Sequence, residues 1–140
     1  MIQYIADSVE MPAIEEQKIN RWIKMIAADF QKKAGNITYI FCNDQKILEI
    51  NNQYLSHNYF TDIITFDYGK KDIISGDIFI SVDTVKANAE EFGVCFSEEL
   101  NRIIIHGILH LCGHDDQSRE LRKAMSAMED SALEKLKNMT

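Results

Sequence analysis

Three of the chain's four histidines and two aspartates fall in one short stretch, HGILHLCGHDDQ, residues 106–117. Imidazole and carboxylate are side chains that bind divalent cations, so the question is whether these residues can reach one ion. His106 and His110 stand four apart, and residues at that spacing share one face of a helix on adjacent turns. Were the helix to continue to His114, that ring would sit about 12 Å from His106 at about 1.5 Å per residue. Metal–nitrogen bonds are only about 2 Å long, so one ion cannot bridge that span. Gly113 offers the left-handed conformation that ends helices. After it the chain can fold back and bring His114, Asp115 or Asp116 to the ion; spacing alone does not choose among them.

The competing reading is two core histidines bonded to backbone or carboxylates. Leu100, Ile103, Ile104, Ile105, Ile108, Leu109, Leu111 and Cys112 surround the pair, which marks a central, buried helix. Unpaired polar groups in such a place cost a few kcal/mol each. The pair and the polar residues behind it favour the metal. A zincin protease carries HExxH, with glutamate as general base; here Gly107 follows His106, so peptide hydrolysis by that route is not expected. An open metal position can still activate water and polarise a phosphoryl oxygen. Arg102, one turn before His106, is a candidate phosphate contact; its alternative is an ion pair with Glu98 or Glu99. Cys112 turns to the far side of the helix and reads as packing.

These residues need a frame. MIQYIA reads as a first strand, and residues 12–33 as a helix by the spacing of Ile19, Trp22, Ile23, Ile26 and Phe30, ended by Gly35. Residues 36–42 form a strand by β-branched and aromatic content, and 43–55 a helix with an Asn/Asp cap. TDIITFDYG and residues 75–82 make a hairpin across the turn GKKD. A helix over 83–93 has an aspartate cap and a closing Gly93; the histidine helix, 97–113, opens at Ser97. The last helix, 117–137, buries Leu121, Met125, Met128, Ala132 and Leu136. The expectation is one α+β domain over 1–140: a mixed four-stranded sheet covered by about five helices.

A chain of 140 residues can bury a real core without staples. With 46% hydrophobic and 26% charged residues it reads as a globular domain that neither spans a membrane nor stays disordered. Cys42, Cys95 and Cys112 are odd in number and lack a CxxC, which argues against a disulfide framework and fits a reducing cytoplasm. The start shows no signal-peptide pattern. A net charge of −7 weighs against generic nucleic-acid affinity. Lys18, Arg21 and Lys24 on the first helix, and Arg119, Arg122 and Lys123 after the histidines, are solvated faces or part of an RNA-facing cleft.

The histidine stretch resembles the signature HGxLHLxGxDH of the YbeY family of ribosomal-RNA maturation endoribonucleases. His106, Gly107, Leu109, His110, Leu111, Gly113 and Asp115 fall on that pattern as they stand. NNQYLSHNYFTDIITF resembles the family segment ending in PTDVLSF, GDIFIS its GDI-I-S strand, and SEELNRIIIHG the lead into its metal helix. The resemblance implies a metal-dependent nuclease for single-stranded RNA, most simply with one zinc ion, acting on ribosomal RNA with the ribosome as partner. The family's third histidine falls on Asp116, which becomes the favoured third ligand. His114, where the family has tyrosine, is the runner-up. Asp115 then caps the next helix or anchors a ring nitrogen. Two histidines and a carboxylate suit zinc, and ferrous iron or other divalent ions as well. The family's arginine before PTDVLSF aligns with Leu55, so His57 is left as a partial substitute if protonated; Thr61 and Asp62 match the family's TD pair. Two alternatives stand beside this reading: a non-enzymatic ribosome-assembly factor with a structural metal, and a metallohydrolase of another substrate.

Overall fold

Runs of isoleucine and aromatic residues supply the strands, and amphipathic segments between them supply the cover. The computed structural model describes residues 1–55 and 61–139. In chain order the elements are β1 (Ile2–Ala6), α1 (Glu16–Asp29), β2 (Lys33–Cys42), α2 (Asp44–Leu55), β3 (Ile63–Asp67), β4 (Ile73–Ser81), α3 (Val82–Phe92), α4 (Phe96–Leu111) and α5 (Arg119–Lys137). The four strands form one mixed sheet in the order β1-β2-β4-β3, with β1, β2 and β4 parallel and β3 antiparallel at the edge. With five helices among the described residues, this is the expected α+β fold.

The period-2 alternation of the strands divides the core. Ile37, Tyr39 and Phe41 of β2 and Ile78 and Ile80 of β4 join Trp22 and Ile23 of α1, the apolar residues of α4, and Met125 and Ala132 of α5. Cys42 and Ile64 face the other way and pack with Ile47 and Ile50 of α2. Two buried polar atoms tie the layers. Trp22 Nε1 donates to the Ala132 carbonyl at 2.8 Å, and the Tyr39 hydroxyl to the Ile104 carbonyl at 2.9 Å. The second bond holds α4 to the central strand two residues before His106.

Several boundaries differ from the sequence expectation. The first helix stops at Asp29, and Gln31 takes a positive φ of 60°. Gly35 therefore does not end a helix; it lies inside β2, which starts at Lys33, at a register shift between Ala34 and Ile37. Ser81 caps α3 in place of Asp83, and α4 begins after Cys95, with no side-chain cap from Ser97. Leu121 is exposed; the buried face of α5 is Met125, Glu129, Ala132 and Leu136.

Candidate metal centre

Helix α4 is the central helix its composition required, with Leu100, Ile103, Ile104, Ile105, Ile108, Leu109 and Leu111 all buried. Gly107 faces the sheet: a Cβ there would stand 3.1 Å from Ile78 Cδ1 and 3.2 Å from Ile63 Cδ1. The absence of the zincin glutamate thus has a packing reason, because position 107 lies against β3 and β4. His106 and His110 occupy another side of the helix, bordered by α5. Their rings meet edge to face, and their Nε2 atoms are 3.0 Å apart.

The chain reverses where the glycine allows it. Gly113 has φ 99°, which a side chain would strain. Its amide bonds the His110 carbonyl at 2.9 Å, and the His114 amide reaches back to the Leu109 carbonyl at 3.0 Å, closing the helix end. The return delivers Asp116, whose Oδ2 is 3.4 Å from His106 Nε2 and whose Oδ1 is 3.6 Å from His110 Nε2. His106, His110 and Asp116 each offer a ligand atom within 4.8 Å of the others, a group able to hold a metal ion. Donors about 2.0–2.1 Å from a tetrahedral ion lie about 3.4 Å apart, so the observed edges fit a small divalent cation.

Glu129 lies behind the histidines. Its Oε2 is 2.6 Å from His106 Nδ1, and its Oε1 accepts from Arg102 Nη1 at 2.8 Å. Arg102 Nη2 also pairs with Asp130. Burial disfavours a charge on both rings. At His106 the Glu129 carboxylate, with Asp116 and Asp62 beyond it, outweighs burial and raises the pKa above the ordinary value. At His110 burial, joined by the positive charge of His106, lowers it. Asp62 is held above the usual carboxylate range by burial, against the opposing pull of His106.

The remaining candidates separate clearly. His114 is not part of the His106, His110 and Asp116 group; its ring meets Phe30 edge to face with centroids 4.4 Å apart, and its Nε2 is buried with no hydrogen-bond partner among the described residues. A buried unpaired polar atom costs on the order of 1 kcal/mol or more. His114→Phe should therefore raise the melting temperature by about 3 °C and leave metal affinity unchanged. A thermal melt and a metal titration check this, and a loss of affinity would mark His114 as a ligand. Asp115 caps no helix; Oδ1 accepts from the Asp116 amide at 2.7 Å, while Ser118 caps α5. Arg102, considered for phosphate or for Glu98 and Glu99, makes its ion pairs with Glu129 and Asp130 of α5. Thr61 donates its hydroxyl to Asp62 at 3.4 Å. Leu55 ends α2, and His57 lies outside the described residues. Arg21 and Lys24 are exposed and Lys18 half-buried on α1; Arg119, Arg122 and Lys123 are exposed on the first turns of α5. Cys112 packs against the core, and burial pushes its thiol up to about 11.

Fold and site together define an α+β domain with a two-histidine, one-carboxylate cluster at the C-terminal end of its central helix. A protein of Thermotoga maritima solved in solution shares the fold, with a TM-score of 0.64 over 99% of this chain and 93% of that one at 23% identity. The chain belongs to the YbeY family: the family model described as "Endoribonuclease YbeY" matches residues 4–137. The curated "Endoribonuclease YbeY" of Phocaeicola vulgatus is 55% identical over 95% of this chain and 96% of its own length. That of Bacteroides thetaiotaomicron is 52% identical over 94% and 96%, and that of Parabacteroides distasonis 54% over 94% and 93%.

Proposed function

We propose that the whole chain, 1–140, is one metal-dependent endoribonuclease domain that cuts single-stranded RNA in ribosomal-RNA processing. The step we assign is three-prime-end maturation of small-subunit RNA, with a part in ribosome quality control, in the cytoplasm and with the ribosome as partner. The observation that carries the reading is the convergence of His106 Nε2, His110 Nε2 and the Asp116 carboxylate on one point, in a chain whose relatives are named endoribonucleases. The ion we assign is zinc. When bound, such a cation supplies a Lewis acid for the phosphoryl oxygen and lowers the pKa of water beside it.

The chain's residues do the rest. His106 and His110 offer neutral nitrogens, and Asp116 a negative oxygen. The His110 and Asp116 side chains are 28% and 33% exposed, so a phosphate can approach from solvent. A structural ion needs a closed set of four donors; among the described residues no fourth histidine or acid joins the group, and His114 is turned into Phe30. The charge of −7 is an obstacle to gripping free RNA; a ribosome presenting the strand removes that requirement.

Incubating zinc-loaded protein with single-stranded RNA, duplex RNA and an unstructured peptide tests the reading. Single-stranded RNA alone should be cut, chelation should stop cleavage, and circular dichroism should stay native. Unfolding on chelation with no RNA cleavage beforehand would establish a structural metal instead.

A further inference from the structure

We propose that Glu129, itself held by Arg102, is the positioning residue of the metal centre: it fixes which nitrogen of His106 carries the proton and where the other nitrogen points. The inference rests on the metal-centre reading above and extends it to a residue outside the ligand set.

Glu129 is only 6% exposed on a helix face otherwise made of Met125, Ala132 and Leu136. A carboxylate in such a place is costly unless both oxygens are partnered. Both are: Oε2 meets His106 Nδ1 at 2.6 Å and Oε1 meets Arg102 Nη1 at 2.8 Å. An ionised carboxylate only accepts, so the hydrogen of that short contact sits on Nδ1. A neutral imidazole has one N–H, and placing it on Nδ1 leaves Nε2 bare. Nε2 is the atom that faces His110 Nε2 and Asp116. Without the carboxylate the ring is free to take the other tautomer and present a proton to the cation.

Arg102 completes the device. It comes from the same helix as His106, one turn earlier, and grips α5 twice, at Glu129 and at Asp130. Because its Oε1 is bound to the guanidinium, Glu129 stays behind the ring and does not swing forward to become a ligand. The alternative is that Arg102, Glu129 and His106 simply bolt two helices together. That alternative predicts a change in stability with no change in tautomer or in metal binding by folded protein.

Two measurements separate these. In metal-free wild type, nitrogen-15 NMR of the His106 ring, at a pH high enough to leave it neutral, should show hydrogen on Nδ1. The Nε2–H form would overturn the proposal with no variant needed. Zinc affinity of folded Glu129→Gln, measured against a chromogenic chelator, should fall by about 10–100-fold, and its His106 ring should show mixed tautomers. Should Glu129→Gln fail to fold, Glu129→Asp keeps the charge, withdraws the carboxylate by one methylene and should weaken zinc in the same direction. Wild-type affinity in the folded variant would remove the positioning role while leaving the metal centre standing. A wild type that binds no zinc at all would remove both.

Discussion

His110→Ala protein should emerge from purification without bound metal and cut single-stranded RNA only at background. His110 supplies one of three donors, and no other described histidine or acid stands in reach to replace it: the group able to hold an ion among the described residues is His106, His110 and Asp116 alone. Loss of an outer partner of a ligand typically weakens a metal by about 10–100-fold, so loss of a ligand should exceed about 100-fold. Asp116→Ala should act in the same direction, because it removes both a donor and the negative charge that favours a cation. Neither change should unfold the protein. The His110 side chain is 28% exposed and the Asp116 side chain 33%, and half-exposed positions typically cost about 1 kcal/mol or less. Metal content by mass spectrometry, RNA cleavage and a thermal melt check all three expectations. Full cleavage by metal-free His110→Ala would contradict the metal-dependent mechanism.

The part of this site legible in sequence was the part governed by local geometry. The spacing of His106 and His110 set two rings on one helix face, and Gly113 announced the reversal that the positive φ and the two return hydrogen bonds then realise. The strands were readable for a similar reason, since β-branched and aromatic runs have few alternatives to a sheet. The choice between Asp116 and His114 was not local. Phe30, eighty-four positions away in sequence from His114, packs against that imidazole, while the carboxylate that stands with His106 and His110 is Asp116.

Glu129 is hard to see in the sequence because the stripe of α5 is set by its hydrophobic neighbours. Met125, Ala132 and Leu136 frame position 129 on the same face, so a carboxylate stood among buried residues. That is the signal that could have found it: such a group must have a partner, and the two histidines of α4 were the polar residues in need of one. The first helix shows the opposite error. Gly35 looked like a terminator, yet the turn is made by Gln31 at φ 60°, and the glycine is needed for space. A Cβ at position 35 would stand 2.7 Å from Ile73 Cγ2 on the neighbouring strand. Glycine marks either a left-handed backbone or a close approach, and only the packed structure says which. For Arg102 the sequence offers a phosphate or the acids Glu98 and Glu99 of its own helix, whereas its ion pairs are with Glu129 and Asp130 of α5.

The two rings differ in how tightly they hold a proton, and this gives metal binding a definite pH dependence. A cation takes only a bare Nε2, so any proton there must leave first. His106 holds its proton above the ordinary 6.5: burial opposes the charge, but the Glu129 carboxylate, then Asp116 and Asp62, prevail. His110 loses its proton below 6.5, through burial and the neighbouring charge on His106. Between these two values one proton is displaced per ion, so affinity should rise about tenfold per pH unit; below the lower value two are displaced, and the slope should approach about a hundredfold. Above the upper value the curve should flatten. The sign follows from competition: protonation opposes binding, so affinity falls with falling pH. The metal-free protein feels the reverse at His106, whose raised pKa contributes stability that is complete below 6.5 and disappears as pH rises through the folded value. Added metal should therefore stabilise the fold most at alkaline pH, where the ion no longer competes with that proton. Calorimetric titration in buffers of different ionisation heat counts the displaced protons directly. In Asp116→Asn, where one of the carboxylates supporting both imidazolium forms is gone, the break should move to lower pH even as overall affinity drops. An affinity that stays flat from well below 6.5 to well above it would mean that neither imidazole gives up a proton to the ion.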